Sequence, residues 1–499
     1  MHIYAFGSIC RGEYSQNSDI DLLICTGSHE YHEFSLEKFS IYRYERIAEL
    51  WKEGNPFAWH LYLESKLIYS SDNTNFINNL GVPNNYKNIT IDFEKFKTIY
   101  IESVNNFMKG KNIVFNLSCI FLALRNISTC YSLACNKPIF SRRSPLLIDH
   151  PIQIEKSIFH ILESARILST RGIGERINQE MILKVKNNIK YIGVDIGGSH
   201  TKIALVNTKY ELLNEESIFY GNLDPILKPK CIYEHITKYI DSLPNEIFEQ
   251  IIGIGVACPG MTKNNKIIGA VNLGGNSDIL IKIEKKYNLP LYSTNDAIAA
   301  SFAQLKKGSL INTDNAIYLG LGTGVGFSVI LNKQIFLPNG LPVDLSHTSY
   351  IKKNIKCSCG KDDCIEKYIS IKALRSKLNK KINTKYNLNN NLKVEIILEK
   401  SKYNIEDYED ILREYTDNIV TTIINQIELF KPDKVCLGGG FVKISESIIY
   451  DIIKTKYKNS KIFSTMFDYD RPELIIAQKL NCSEIVGIIL LLEDKFKNL

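Results

Sequence analysis

Apolar positions along the chain follow three different rhythms, and each change of rhythm marks an expected domain boundary. Over residues 1–92, strand-length apolar runs such as "HIYAFGS" and "DIDLLICT" alternate with helix-like ones. "RIAELWKEGNPFAWHLYLESKLIY" reads as a helix interrupted near Gly54-Asn55-Pro56, then a second helix leading into a strand. Over residues 93–185 the apolar spacing is helical throughout, in "FEKFKTIYIESVNNFM", "NLSCIFLALRNISTCYSLA" and "IEKSIFHILESARILST". "NKPIFSRRSP" reads as a connection, and "RGIGERINQEMILKVKNN" as a polar approach to a boundary. From Lys190 to residue 499, β-runs ending in glycine or an acidic residue alternate with helices: "YIGVDIGGSHTKIALVN", "IIGIGVACPG", "LYSTND", "AIYLGLGTGVGFSVIL" and "KVCLGGGF". That alternation predicts an α/β domain. The Lys- and Asn-rich stretch 376–393 shows no apolar face and reads as exposed helix and loop. The expected fold class is therefore multidomain α/β: a small α/β domain at 1–92, a helical domain at 93–185 and a larger α/β domain at 190–499.

Composition narrows the function classes. With 44% hydrophobic and 23% charged residues, the 499-residue chain has the make-up of a soluble globular protein. The net charge of +7 is modest and spread over many lysines, which suits solubility and anionic substrates and makes no case for nucleic acid. No run of about 20 apolar residues stands out as a membrane span. The start, "MHIYAFGSICRG", lacks the basic and apolar regions of a signal peptide. Twelve cysteines without a secretion signal predict a reducing, cytoplasmic setting, with thiols that are free or bind metal.

The first chemical signature is "GSICRGEYSQNSDIDLL". Gly7-Ser8 closes an apolar strand, where a backbone without a Cβ lets phosphates approach closely. Asp19 and Asp21 are at i and i+2, so on a strand they share a face and can hold one oxygen-seeking cation such as Mg²⁺. The pattern Gly7, Ser8, Arg11, Gly12, Asp19, Asp21 resembles the minimal nucleotidyltransferases of the polymerase-β-like superfamily, the aminoglycoside nucleotidyltransferases among them. The resemblance implies ATP- and Mg²⁺-dependent transfer of a nucleotide to a hydroxyl, with a helical partner domain. Two departures stand out. The third carboxylate usual on the next strand has only Glu37 as a counterpart at the edge of "LEKFSIYRY", with Ser40 and Tyr42 beyond it. The first strand is also expected to open the domain, without the N-terminal helix that many members of that family have. A domain that binds nucleotide without transferring it stays open as an alternative. After Arg125 comes "NISTCYSLA", without the histidine that related helical ribonucleases carry.

The second signature is a series of glycine turns after strands. Asp195 precedes Gly197-Gly198-Ser199-His200-Thr201; Gly322-Thr323-Gly324 and Gly438-Gly439-Gly440 follow, with "STNDAIAA" between the first two. Backbone N–H groups in such turns can cradle phosphates. The order resembles the sugar-kinase, hsp70 and actin superfamily, and more closely the ROK family of sugar kinases and repressors, over residues 190–499. That resemblance implies an ATP-binding two-lobed fold, a small-molecule sugar substrate and a homodimer. It implies a structural zinc held by His347, Cys357, Cys359 and Cys364, a Cys₃His set of the type that closes a tetrahedral zinc site. It places Asp344, His347, Glu366, Asn295 and, more weakly supported, Asn272 at the sugar, with Asp296 as the general base. Where the family has Glu-x-Gly-His, this chain has Asp344-Leu345-Ser346-His347. The expected function is an ATP-dependent hexose or amino-sugar kinase fused to a nucleotidyltransferase. The alternatives are a sugar-sensing regulator, and a nucleotidyltransferase with a regulatory kinase-like half.

Overall fold

The computed structural model describes residues 1–13, 20–27, 39–148, 154–248, 250–349, 353–386, 391–398, 406, 408–444, 448–460 and 471–498. The chain divides into two compact units, Met1–Asn188 with Pro244–Gln250, and Ile189–Leu243 with Ile251–Leu499.

The first unit opens with a four-stranded sheet built from β1 (His2–Phe6), β2 (Asp21–Thr26), β3 (Ser40–Arg43) and β4 (Lys66–Ser70), in the order β3-β2-β1-β4. Strand β1 is antiparallel to β2 and β4, and β2 is parallel to β3. Alternate residues of β1 point inward, so Tyr4 and Phe6 join Leu23, Ile47, Leu50, Trp51 and Leu61 in one core. The break expected at Gly54-Asn55-Pro56 is a helix end followed by a helix start. Gly54 ends helix Tyr44–Glu53 at φ 65°, pressed against the Asn84 carbonyl, so neither the angle nor the space admits a side chain. Asn55 then accepts from the Phe57 N–H (2.9 Å) and caps helix Pro56–Glu64.

Helices Ile89–Met108 and Lys156–Arg171 each pack on helix Ile113–Ala134. Two expectations need correction here. The polar approach to the boundary holds a helix, Gln179–Asn187, capped by Asn178 and burying Ile182 and Val185. Helix Ile113–Ala134 is also long and apolar enough to cross a membrane, with a mean hydropathy of 1.5 over its most apolar window. More than half of that window is buried by protein, including Leu117, Ile120, Leu124 and Ile127.

The second unit holds two five-stranded sheets. Strands β5 (Lys190–Ile196), β6 (His200–Asn207), β7 (Leu212–Phe219), β8 (Ile251–Cys258) and β12 (Leu291–Asn295) assemble in the order β12-β8-β5-β6-β7. Strands β13 (Ala316–Leu321), β14 (Val325–Leu331), β15 (Gln334–Ile335), β16 (Lys434–Gly438) and β17 (Glu473–Ile476) assemble as β15-β14-β13-β16-β17. Short strands β9 (Met261–Lys263), β10 (Lys266–Ala270) and β11 (Gly275–Ser277) form a third, small sheet. Each large sheet thus carries an antiparallel hairpin, β5-β6 or β13-β14, beside a parallel strand, and each hairpin turn carries the glycines. Helices Asp296–Lys307 and Ser483–Asn498 cross closely at Gly487, where a Cβ would strike the Ala299 carbonyl.

The stretch 376–393, expected to be exposed, is corrected in part. Helix Ile371–Tyr386 buries Leu374, Leu378 and Ile382, four residues apart, in the core around helix Glu409–Phe430. The stripe is one residue wide, and the Lys and Asn on either side mask it in the sequence.

Candidate functional site

A cleft of about 390 Å³ opens in the second unit. The turns that the sequence singles out converge on it: Gly197-Gly198, Gly322-Thr323-Gly324 and Gly439-Gly440 line its wall. Asn272, Asn295, Asp296, Asp344, His347 and Glu366 line it too. Ser199, Thr201 and Gly438 are not among the lining residues. Thr201 is fully buried, its hydroxyl 2.9 Å from that of Tyr220, so it holds the turn from behind. Ser199 Oγ lies 2.9 Å from His200 Nδ1. Gly438 leaves room for the Tyr318 hydroxyl, which accepts from the Gly439 N–H (3.1 Å) and so fixes the third turn.

Asn295 and Asp296 sit where β12 passes into helix Asp296–Lys307. Asn295 caps the helix by accepting from the Ala297 N–H (2.9 Å), and its Nδ2 donates to the Gly260 carbonyl (2.9 Å). The side chain is therefore fixed at both ends. Asp296 accepts from the same Ala297 N–H (2.8 Å). Burial pushes its pKa up to about 6, against the pull of that N–H, with Glu484 raising it further. Asp195, behind the first turn, is pushed well above the usual carboxylate range by burial and then by Glu484 and Asp296. Lys202 is the nearby cation that opposes this. Glu484, which lines the cleft from the start of the last helix, belongs to no motif in the sequence. Its position follows only from the crossing of the two helices.

Beyond Asp296 lies a polar group. Asp344 Oδ1 accepts from the Ser346 N–H (2.9 Å) and hydroxyl (2.5 Å), which locks the carboxylate. The two departures from Glu-x-Gly-His thus act as a pair, the shorter acid being held by the added hydroxyl. The Glu366 carboxylate lies over Gly324, with Oε2 2.6 Å from where a Cβ would stand, so that glycine is required for the acid to reach the cleft.

His347, Cys357, Cys359 and Cys364 bring one ligand atom each within 4.8 Å of one another. Cys359 and Cys364 Sγ are 3.5 Å apart, and Cys357 Sγ is 3.8 Å from His347 Nδ1. A tetrahedron with metal–sulfur bonds of about 2.3 Å has edges of roughly 3.8 Å, so the donor set fits zinc in size and chemistry. Asp363, which the sequence reading missed, shapes the loop. Its carboxylate accepts from the N–H groups of Lys353, Asn354 and Ile355 (3.0, 2.9 and 2.8 Å) and from the Tyr368 hydroxyl (2.6 Å).

In the first unit, β1 runs into a tight turn at Gly7–Ile9, and Asp21 pairs with Phe6 across the sheet. Gly7, at φ 77°, leaves space that the Asp21 carboxylate fills. Gly7, Ser8 and Asp21 therefore meet at one sheet end. Asp19 and Glu37 lie outside the described residues. Arg11 is neutralised, bonding Glu13 (3.0 Å) and Glu64, with His60 Nε2 at 3.3 Å.

The model of the ROK family matches residues 191–495. The chain belongs to the ROK family. Residues 2–93 match the nucleotidyltransferase domain model, so the ROK region follows an N-terminal nucleotidyltransferase domain. The xylose repressor of Bacillus subtilis is 24% identical over 278 residues, 55% of this chain and 70% of that protein. The glucokinase of Halalkalibacterium halodurans is 25% identical over 282 residues, 52% of this chain and 83% of that protein. A ROK family glucokinase from Streptomyces griseus, solved with glucose and AMPPNP, superposes with a TM-score of 0.52 at 20% identity, over 60% of this chain and 98% of that one. The fold of the ROK region is the actin-like ATPase fold.

Proposed function

We propose that the ROK region, residues 190–499, phosphorylates a hexose or amino sugar with ATP. The observation that carries this reading is the convergence, in one cleft, of three glycine turns, a fixed Asn295, and Asp296 beside the polar group Asp344, His347 and Glu366. The turns would receive the phosphates through backbone N–H groups. Asn295 would hold a sugar hydroxyl, and Asp296 would take its proton as it attacks the γ-phosphate. Mg²⁺, when bound with the nucleotide, would offset the charge between the phosphates and the carboxylates of Asp195, Asp296 and Glu484. His347, Cys357, Cys359 and Cys364 would hold zinc as a closed structural site, leaving the imidazole Nε2 for a sugar hydroxyl. Residues 1–92, with helical residues 93–185, would transfer a nucleotide to a small-molecule acceptor, using Asp19 and Asp21 for Mg²⁺ and Gly7-Ser8 for the phosphates.

A sugar-sensing regulator is the second reading. It is favoured by a repressor and a glucokinase standing at similar identity to this chain, and by the Asp344/Ser346 departure. The full chain incubated with ATP labelled at the γ-position, across a panel of hexoses and amino sugars, separates the two. Label in a sugar supports the kinase. Saturable sugar binding without transfer supports the sensor.

A further inference from the structure

Arg125 is the single charged residue of helix Ile113–Ala134, a long apolar helix of the first unit. It is half-buried, and among the described residues its guanidinium makes no hydrogen bond or ion pair. Its charged neighbours are mostly of its own sign: Arg11, Arg142 and Arg166, with Asp21 the one acid. Hydrogen bonds place the segments that carry them against this helix. Ser118 and Arg125 are seven residues apart, hence on one helix face, and Arg166 Nη1 donates to Ser118 Oγ (3.3 Å). The Ser144 hydroxyl reaches the Arg125 carbonyl (3.5 Å), and that of Ser141 donates to Glu13 (2.5 Å), so the segment carrying Arg142 runs from the helix to the turn after β1. Arg11 is paired off with Glu13 and Glu64. Among the described residues, Arg125 and Arg142 have no such partner.

Burying a cation without a partner among like charges is costly, and an anionic ligand removes the cost. A second observation says what the anion does. Strand β3, Ser40–Arg43, carries no carboxylate, although a hydroxyl acceptor needs a base to take its proton. A phosphate monoester needs none, since its second pKa is about 6 and it is a dianion at neutral pH.

We propose that Arg125, Arg142 and Arg166 seat a phosphate monoester, and that this monoester is the acceptor in nucleotidyl transfer. The assignment rests on the nucleotidyltransferase reading of residues 1–185. A phosphate oxygen of the acceptor attacks the α-phosphorus of a nucleoside triphosphate. A P–O–P bond forms, the bond between the α- and β-phosphates breaks, pyrophosphate leaves, and no proton moves. The reaction that supplies such an acceptor is phosphorylation of a sugar, which is the proposed chemistry of the ROK region.

The test uses the full chain. Thermal unfolding is followed with and without inorganic phosphate for wild type, Arg125→Met and Arg142→Met. ATP labelled at the α-position is offered with glucose 1-phosphate, glucose 6-phosphate and glucose. The glucose arm uses Asp296→Asn protein so that glucose stays unphosphorylated. Without phosphate, Arg125→Met unfolds above wild type; phosphate raises the midpoint of wild type and not of Arg125→Met. Label enters only the phosphorylated acceptors. Each arginine variant lowers kcat/KM for the acceptor about 10- to 100-fold, the range for a lost charge-assisted hydrogen bond, while ATP affinity stays within about twofold of wild type. Equal transfer to glucose overturns the acceptor assignment alone. So does a loss of ATP affinity in the arginine variants, which would make the cluster the seat of the triphosphate, and so does an equal phosphate response in wild type and Arg125→Met. No transfer to any acceptor, together with Mg²⁺-dependent ATP binding unchanged in Asp21→Asn, overturns the nucleotidyltransferase reading as well.

Discussion

Asp296 can serve as a base because two local effects oppose each other. Burial raises its pKa to about 6, and the Ala297 N–H keeps it from rising further. A base must be unprotonated, so kcat/KM for the sugar should fall as pH drops through about 6 and be flat above about 7. Asp296→Asn should lose about 10²–10⁴-fold in turnover with sugar affinity kept, and its residual rate should lose the acid limb. Steady-state rates between pH 5 and 8 with equilibrium sugar binding check both; near-normal turnover of the variant would place the base elsewhere. Asp296 was legible in the sequence because a strand end followed by Asn-Asp and a small-residue helix is a local pattern. Glu484 was not, because it reaches the same cleft only through the crossing of two helices nearly 200 residues apart in sequence, whose close contact at Gly487 leaves no periodic mark. Ser346 was read only as a departure, and its hold on Asp344 needed coordinates.

At the scale of elements, helix Ile371–Tyr386 and the loop before it show what a lysine-rich surface conceals. Leu378 is fully buried in the core that supports the third glycine turn, so Leu378→Ala should cost about 2–5 kcal/mol of stability. Lys380→Ala, on the exposed face, should stay within about 0.5 kcal/mol. Denaturant midpoints of the two variants decide whether the stripe is core. The loop from His347 to Cys364 was legible in the opposite sense, since its four candidate ligands stand out by residue type and spacing and come within reach of one another. Its shape was not, because Asp363 ties three backbone N–H groups and a tyrosine without any metal. One zinc per chain is expected by metal analysis. Cys359→Ser should lose it together with sugar phosphorylation, because His347 stands on that loop and Glu366 opens the helix that follows it, while Asp363 keeps the variant folded. A variant that loses zinc and keeps full activity would separate the metal from the sugar pocket.

At the scale of the whole molecule, the proposed reading gives the chain two sites for nucleotide chemistry that would use different carboxylates and attack different phosphorus atoms. The rhythms of apolar spacing predict domains and not sites, because each domain type needs its own periodicity to bury a core. They say nothing of Arg125, which reads as an ordinary helical arginine until it is seen without an ion-pair partner among the described residues. Two sites with no shared residue should respond independently. Asp296→Asn should cut transfer of the γ-label about 10²–10⁴-fold and leave transfer of the α-label to a supplied sugar phosphate within about twofold. Asp21→Asn should do the reverse. The coupling should appear only when the chain starts from free sugar, ATP and Mg²⁺. Wild type should then form the nucleotidylated sugar, whereas a mixture of the two single variants should form it more slowly and with free sugar phosphate accumulating in between. Equal rates in the mixture and in wild type would mean that the intermediate is released and recaptured, and that the fusion serves co-expression of two activities. Loss of both labels in either single variant would mean that the two carboxylate sites serve one reaction, and the division into a kinase and a nucleotidyltransferase would fall.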